Sequence, residues 1–372
     1  MQALVTKLFS AGVLAAASLA ANAQTLLTQI PILPTGLTTA ESANVAVNTA
    51  TNRIYLPLAF YNDSNQYIYQ LLVLNGATNQ VVKTLNSFPI GSHDFGIAID
   101  PARNLIYLEL CIPGATSACN ISVINGQTEE IVKTIPLGEG VTGHMVVDPV
   151  TGKIYIRALN QLAVIESGAT GSADTFSLPE DYPLAGGTGL AISPYAHRLY
   201  FTSSTYQGPE VLGFFDTLTD RISQSKTLSS NLFYLSATAV NPETGRLFGI
   251  TAADQYSGDG VVMFNSAGTL LANIALPVTG AAGNSGTAYA QSVEVDPRTN
   301  LAFVSALTDS GVSLGSALYV IDGATNTVLR STSFYSTFVT SVVGVNPDTG
   351  KVYVVYGTSP NSKFYLDVYS EQ

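Results

Sequence analysis

Apolar and polar positions alternate with a two-residue period in short runs along this chain, and the runs recur as a set. One begins NVAVNTATNRIYLPL at Asn44. It returns as GIAIDPARNLIYLEL at Gly96, HMVVDPVTGKIYIRA at His144, GLAISPYAHRLYFTS at Gly189, ATAVNPETGRLFGIT at Ala237, SVEVDPRTNLAFVSA at Ser292 and VVGVNPDTGKVYVVY at Val342. Each copy reads as an apolar strand, a tight turn and a second strand centred on an aromatic ring. A variable loop and a third strand with its own turn follow, as in LLVLNGATNQ (from Leu71), ISVINGQTEE (Ile121), LYVIDGATNT (Leu318) and, loosely, VMFNSAGTL (Val262). A fourth strand closes the unit, as in VVKTLNSFPI (Val81), IVKTIPLGEG (Ile131) and VLRSTSFYST (Val328).

Successive copies start 45–55 residues apart, the period of a propeller blade. The last copy stops after its third strand, FYLDVYS, whereas LLTQIPI (Leu26–Ile32) near the N-terminus repeats the fourth-strand phrase IVKTIPL at Ile131. An unpaired strand edge is a liability that ring closure removes. The expectation is therefore an all-β fold: a seven-bladed β-propeller of four-stranded antiparallel blades, residues 24–372 as one domain, closed by the N-terminal strand completing the last blade.

Turn chemistry supports this reading. Asn48, Asp100, Asp148, Asn241, Asp296 and Asn346 can each accept a hydrogen bond from backbone two residues on, with Ser193 standing in for them in the fourth copy. Their recurrence in nearly every unit marks them as structural rather than catalytic. Tyr55, Tyr107, Tyr155, Tyr200, Phe248, Phe303 and Tyr353 occupy one position of the second strand, so they are expected to form a packed layer between sheets.

The first 23 residues stand apart. Lys7 precedes an apolar run that ends at Ala21-Asn22-Ala23, a small-x-small pattern of the kind signal peptidase cleaves. Residues 1–23 are read as a signal peptide, and no later segment is long and apolar enough to span a bilayer. Removing one lysine and no acid takes the net charge from −11 to −12. Such a chain lacks the clustered cations that nucleic acid or anionic lipid requires. It is expected to be exported, periplasmic or at the cell surface, and monomeric. Cys111 and Cys119 then read as a disulfide tying the ends of one loop, two thiolates being too few for a zinc site.

In a four-stranded blade the variable loops and the entries to the first strands share one rim, which makes that rim the expected binding face. The entries add Glu41, His93, Asp94, Glu139 and His144 near the channel mouth, where they can solvate it, hold a divalent cation or share acid–base work. No spacing motif supports a particular reaction, and no cofactor is expected. His197 falls on the opposite, tight-turn face. One further deviation is informative: two residues before the turn, Ala46, Ala98, Val146, Ala191, Ala239 and Gly344 are small or aliphatic, but the sixth copy has Glu294. That carboxylate either meets a channel ligand or ion, or fills space beside Gly344.

The pattern DPxTGKVYV followed by VIDxATNxVVxTIPxG resembles the YVTN-type β-propeller repeat, over essentially all of residues 24–372, although the tetrapeptide is degenerate here (YLPL, YIRA, YFTS, YVVY). The resemblance implies an exported binding or interaction module, with an unidentified macromolecule or small ligand on the loop-rich face. It also implies two alternatives: a lactonase-like hydrolase or lyase with a metal-assisted site at the channel mouth, or a surface-layer or adhesion component. The absence of tryptophan argues against quinoprotein-type propellers.

Overall fold

The computed structural model describes residues 24–32, 37–86, 88, 93–111, 119–137, 143–158, 161–168, 174–177, 189–203, 211–228, 235, 237–251, 260–278, 286–311, 313–335, 341–358 and 363–371. The proposed signal peptide lies outside them. Every regular element among the described residues is a strand, and none is a helix able to cross a membrane.

The strands form seven antiparallel sheets, one per repeat, each ordered from an innermost to an outermost strand. The innermost strands are Ala46–Asn48 (with Leu37–Ala43), His93–Asp100, His144–Val147, Leu190–Ser193, Thr238–Asn241, Thr287–Asp296 and Ser341–Asn346. In blade 1 this strand is broken at Asn44, whose side chain accepts from the Val45 N–H at 2.7 Å. Both pieces pair with Arg53–Asn62. Blade 7 is completed as expected: Leu26–Ile32 runs antiparallel to Lys363–Ser370, from Leu26 opposite Tyr369 to Ile32 opposite Phe364.

The core lies between blades rather than within them. Each buried apolar cluster joins two neighbours, for example Tyr55 and Val73 of blade 1 with Ile106 and Leu108 of blade 2. The seventh seam joins Tyr353 and Leu366 of blade 7 to Leu56 and Phe60 of blade 1. The seven aromatic residues of the second strand are all buried, each in the seam with the following blade. They form the expected packed layer between sheets.

On the tight-turn face the seams are tied by side chains. Asn48 Nδ2 donates to Asn104 Oδ1 of the next blade (2.8 Å), Asn241 to Asn300 (2.8 Å) and Asn346 to Asn52 (2.9 Å). The acceptors Asn52, Asn104 and Asn300 have φ of 50°, 53° and 56°. That left-handed conformation is one asparagine tolerates. In the same three blades the second hairpin carries Gly76, Gly126 or Gly323, where a Cβ would run into the asparagine side chain. Where the turn residue is Asp100 the tie differs: its carboxylate accepts from Arg103 (2.9 Å), whose guanidinium reaches the backbone of Pro149 and Val150 in blade 3. The expected turn bonds form at Asp148, Asn241, Asp296 and Asn346. Asp100 instead accepts from Arg103 N, three residues on.

The outermost strands repeat a bulge that leaves Leu27, Val82, Val132, Leu271 and Leu329 unpaired and exposed. A bulge twists an exposed edge away from flat pairing, which protects against edge-to-edge association.

Candidate functional site

The innermost strands surround a central channel, entering from the loop-rich face and ending at the tight turns. A cavity of about 340 Å³ occupies its turn-side end. Its walls are Val45 to Val47, Ile97 to Ile99, Met145 to Val147, Ile192, Gly344 and Val345, with Glu294 the one titratable residue among them. The strand period places these residues one to three positions before the turn residues, so they form rings about the axis.

Glu294 is solvent-exposed within this cavity. Desolvation by the surrounding hydrocarbon nevertheless pushes its carboxyl from 4.5 up to about 7, opposed by the backbone N–H of Val295. The expectation that it fills space beside Gly344 is not met. A Cβ on Gly344 would lie 3.1 Å from Val45 Cγ1 and 3.4 Å from Val47 Cγ2, so the valines of blade 1 fill that space. Glu294 is left facing the cavity.

The predicted site residues do not assemble at one level. Glu41 lies in Leu37–Ala43, and His93 and Asp94 open the innermost strand of blade 2, with backbones paired to Cys111 and Leu110. All three stand at the loop-side end of the channel, five or so residues of extended chain from the level of Glu294, which at about 3.3 Å per residue is roughly 16 Å. The side chains of residues 38–42 and 93–95 lie outside the described set, as does Glu139. His144, opposite Arg157, lies between the two levels and three blades round from Glu294. It is exposed toward the channel, yet the protein around it holds its imidazole below the usual 6.5.

Two charged residues of the loop-side half were not singled out from the sequence. Glu109 and Arg157 stand two positions after the aromatic residue of the second strand, and both are buried. Glu109 accepts from the Gly143 N–H (3.3 Å) at the entry to blade 3, and Arg157 Nε donates to the Thr202 carbonyl (3.3 Å) in blade 4. Burial holds the Arg157 guanidinium down to about 10. A Cβ at Gly143 would lie 1.9 Å from the Arg157 carbonyl oxygen, so only glycine fits there. In blade 4 Thr202 accepts from Gly189 N (2.9 Å) and donates to Leu235 O (2.8 Å), and Ser305 donates to Ser341 O (3.2 Å). Aligning this position across the repeats, Pro57, Glu109, Arg157, Thr202, Ile250, Ser305 and Val355, is the signal that reveals these seam ties.

Cys111 and Cys119 are bonded to one another and face each other across the second and third strands of blade 2. Their sulfurs and the Glu109 carboxylate lie within 4.8 Å, but sulfurs joined in a disulfide offer no thiolate to a metal. Intact-mass measurement of freshly isolated protein should find it lighter than the reduced chain by the two thiol hydrogens. Cys111→Ser should lower stability by about 2 kcal/mol, since the closed loop is short. Two free thiols would contradict the assignment.

The raised pKa of Glu294 has a defined sign. The folded protein keeps a proton that the unfolded chain releases, so between about 4.5 and 7 stability falls as pH rises. Water in the channel screens the group, which reduces the effect to on the order of 1–2 kcal/mol. Melting curves of wild type and Glu294→Gln should therefore diverge across this window, the variant gaining relative to wild type toward pH 8. Parallel curves would show that the carboxyl titrates normally.

No protein-family model matches the sequence, and no curated protein matches it. Solved structures do. The chain is similar to the β-propeller domain of Cps50 (Swd1) from Myceliophteria thermophila at 8% identity, covering 91% of this chain and 99% of that one with a TM-score of 0.60. It is similar to hydrazine synthase of Kuenenia stuttgartiensis at 13% identity, covering 90% and 96% with a TM-score of 0.62. The Dos1 propeller matches at 11% identity, covering 93% and 95% with a TM-score of 0.59. At these identities the likeness is one of fold, and the fold is a seven-bladed β-propeller closed by its N-terminal strand.

Proposed function

We propose that this is an exported interaction scaffold built from YVTN-type repeats, which engages a partner through its loop-rich face. One observation carries the reading: the longer connections leave from one end of the ring, while the other end is closed by tight turns tied from blade to blade. A rigid ring with variation confined to one rim suits recognition, because loop changes there leave the packed seams intact. The turn sequences DPVTGKIYI (from Asp148) and NPDTGKVYV (Asn346) support the repeat family. Lys7, the apolar run after it, Ala21-Asn22-Ala23 and the cysteine bridge support export.

The test is to replace residues 252–259 by a short Gly/Ser linker and compare retention of partners from an envelope extract with that of the intact protein. The expected result is loss of a specific partner with a melting temperature within about 2 °C of wild type, since connections between strands tolerate change better than the strands themselves. Identical retention after each rim loop is shortened in turn would overturn the reading.

A further inference from the structure

We propose that the turn-side end of the channel is a binding site for a small organic cation, a protonated primary amine with an aliphatic body, held by Glu294 as its counter-ion. This site is distinct from the loop-rich face, and its failure would leave the scaffold reading untouched.

Three observations converge on it. The first is shape: about 340 Å³ is room for roughly ten waters at about 30 Å³ each, or for a ligand with a similar number of heavy atoms. The second is the placement of one acid. At the same position the other six blades carry Ala46, Ala98, Val146, Ala191, Ala239 and Gly344, so the repeat closes its ring without a charge. No ion pair to Glu294 occurs among the described residues, and its carboxyl opens into the cavity. A carboxylate held among methyl groups is costly unless something compensates it. The third is the wall itself. Ala46, Ile97, Val146 and Ile192 present hydrocarbon, which suits the body of an alkylammonium.

The same wall argues against a metal. Calcium takes six to eight oxygen ligands and magnesium a near-ideal octahedron, and one carboxylate among aliphatic side chains supplies too few. An ammonium needs only a few acceptors, and its carbon chain gains from the walls. The protein's net charge of −11 also raises the local concentration of cations.

A pH dependence follows, because Glu294 is the one titratable residue lining the cavity among the described residues. Its carboxyl sits up at about 7, so at pH 5 roughly 1% is ionised in the free protein and at pH 8 most of it is. An amine stays protonated over that whole range. Its apparent affinity should therefore drop by up to about a hundredfold from pH 8 to pH 5.

The experiment is isothermal titration of the folded mature protein with n-butylammonium and, as a neutral isostere, 1-butanol. Saturable binding of the ammonium at pH 8 is expected, at least about tenfold tighter than the alcohol and weaker at pH 5. Glu294→Gln should abolish the preference for the ammonium while the protein stays folded. Ala46→Leu, which keeps the carboxyl but fills the cavity, should weaken both ligands. Equal binding of amine and alcohol, ammonium binding unchanged in Glu294→Gln, or no binding of either at pH 8 would each overturn the proposal.

Discussion

Deleting residues 24–32 is expected to lower the melting temperature by on the order of 10 °C and to promote association. The segment supplies the outer strand of blade 7, in register with Phe364 to Tyr369. Its contribution is not a simple apolar face. Leu26 and Leu27 are 47% and 50% exposed, whereas Ile32 is 2% exposed and Ile30 is half-buried. Fully burying one isoleucine stabilises by about 1.5–3 kcal/mol and the half-buried one adds a fraction of that.

The rest comes from polar groups and from the edge itself. Gln29 Nε2 donates to the Tyr356 hydroxyl at 2.9 Å, and Tyr356 and Tyr369 both reach the buried carboxylate of Asp367, at 3.4 and 3.2 Å to Oδ2. Burial already raises the Asp367 pKa, and the Gln29 and tyrosine hydrogen bonds oppose that rise. Without the strand the network loses one donor and Lys363–Ser370 becomes an open edge. The total is on the order of 5 kcal/mol, a large share of a domain's typical 5–15 kcal/mol. Thermal unfolding with light scattering checks this, using the 252–259 replacement as control. A truncated protein that stays monomeric and melts with the control would show that the strand is a dispensable tail.

Gly76→Ala is expected to cost about 2–4 kcal/mol. A Cβ there would sit 2.0 Å from Asn52 Oδ1 and 2.8 Å from Ile54 Cδ1. The asparagine cannot move aside freely. Its Oδ1 accepts from Asn346 Nδ2 across the seam between blades 7 and 1, where Lys351 also donates to the Gly76 carbonyl at 2.6 Å. The substitution therefore strains the second hairpin and breaks a tie at the closure seam together.

A double variant separates this from a general effect of replacing glycine. Blades 3, 5 and 7 place Gly152, Gly245 and Gly350 where blade 1 has Asn52, and their second hairpins carry Ser167, Ser266 and Glu371 where blade 1 has Gly76. Asn52→Gly should accordingly restore part of the stability lost in Gly76→Ala, a coupling visible in a double-mutant cycle. Gly168→Ala is the control, with φ of +78° but nothing within 4 Å, and should cost about 1 kcal/mol from backbone strain alone. Equal losses in the two alanine variants, with no rescue, would refute the packing account.

The alternation of apolar residues, the recurrence of the Asx turn and the orphan fourth strand at the N-terminus were enough to determine seven blades, their strand order and the partner of Leu26–Ile32. These features are local, or repeat at a fixed period, so each copy corroborates the others. The asparagine ties were written in the sequence too. Asn48, Asn241 and Asn346 are each followed, one repeat later, by Asn104, Asn300 and, around the closure, Asn52. Reading them required knowing that the last blade touches the first.

What only the tertiary structure decided was depth and direction. Glu41, His93 and Asp94 share a rim with His144 in a linear reading. In that reading Glu294 joins them, because all five belong to innermost strands. Strand rise separates them along the channel axis, and a carboxylate at the apolar end meets a different dielectric from one at the open mouth. Likewise Glu109 and Arg157 read as ordinary polar positions near a loop until the neighbouring blade covers them. Charge in a sequence records what a side chain can do, but its burial and partner depend on which strand the ring brings alongside.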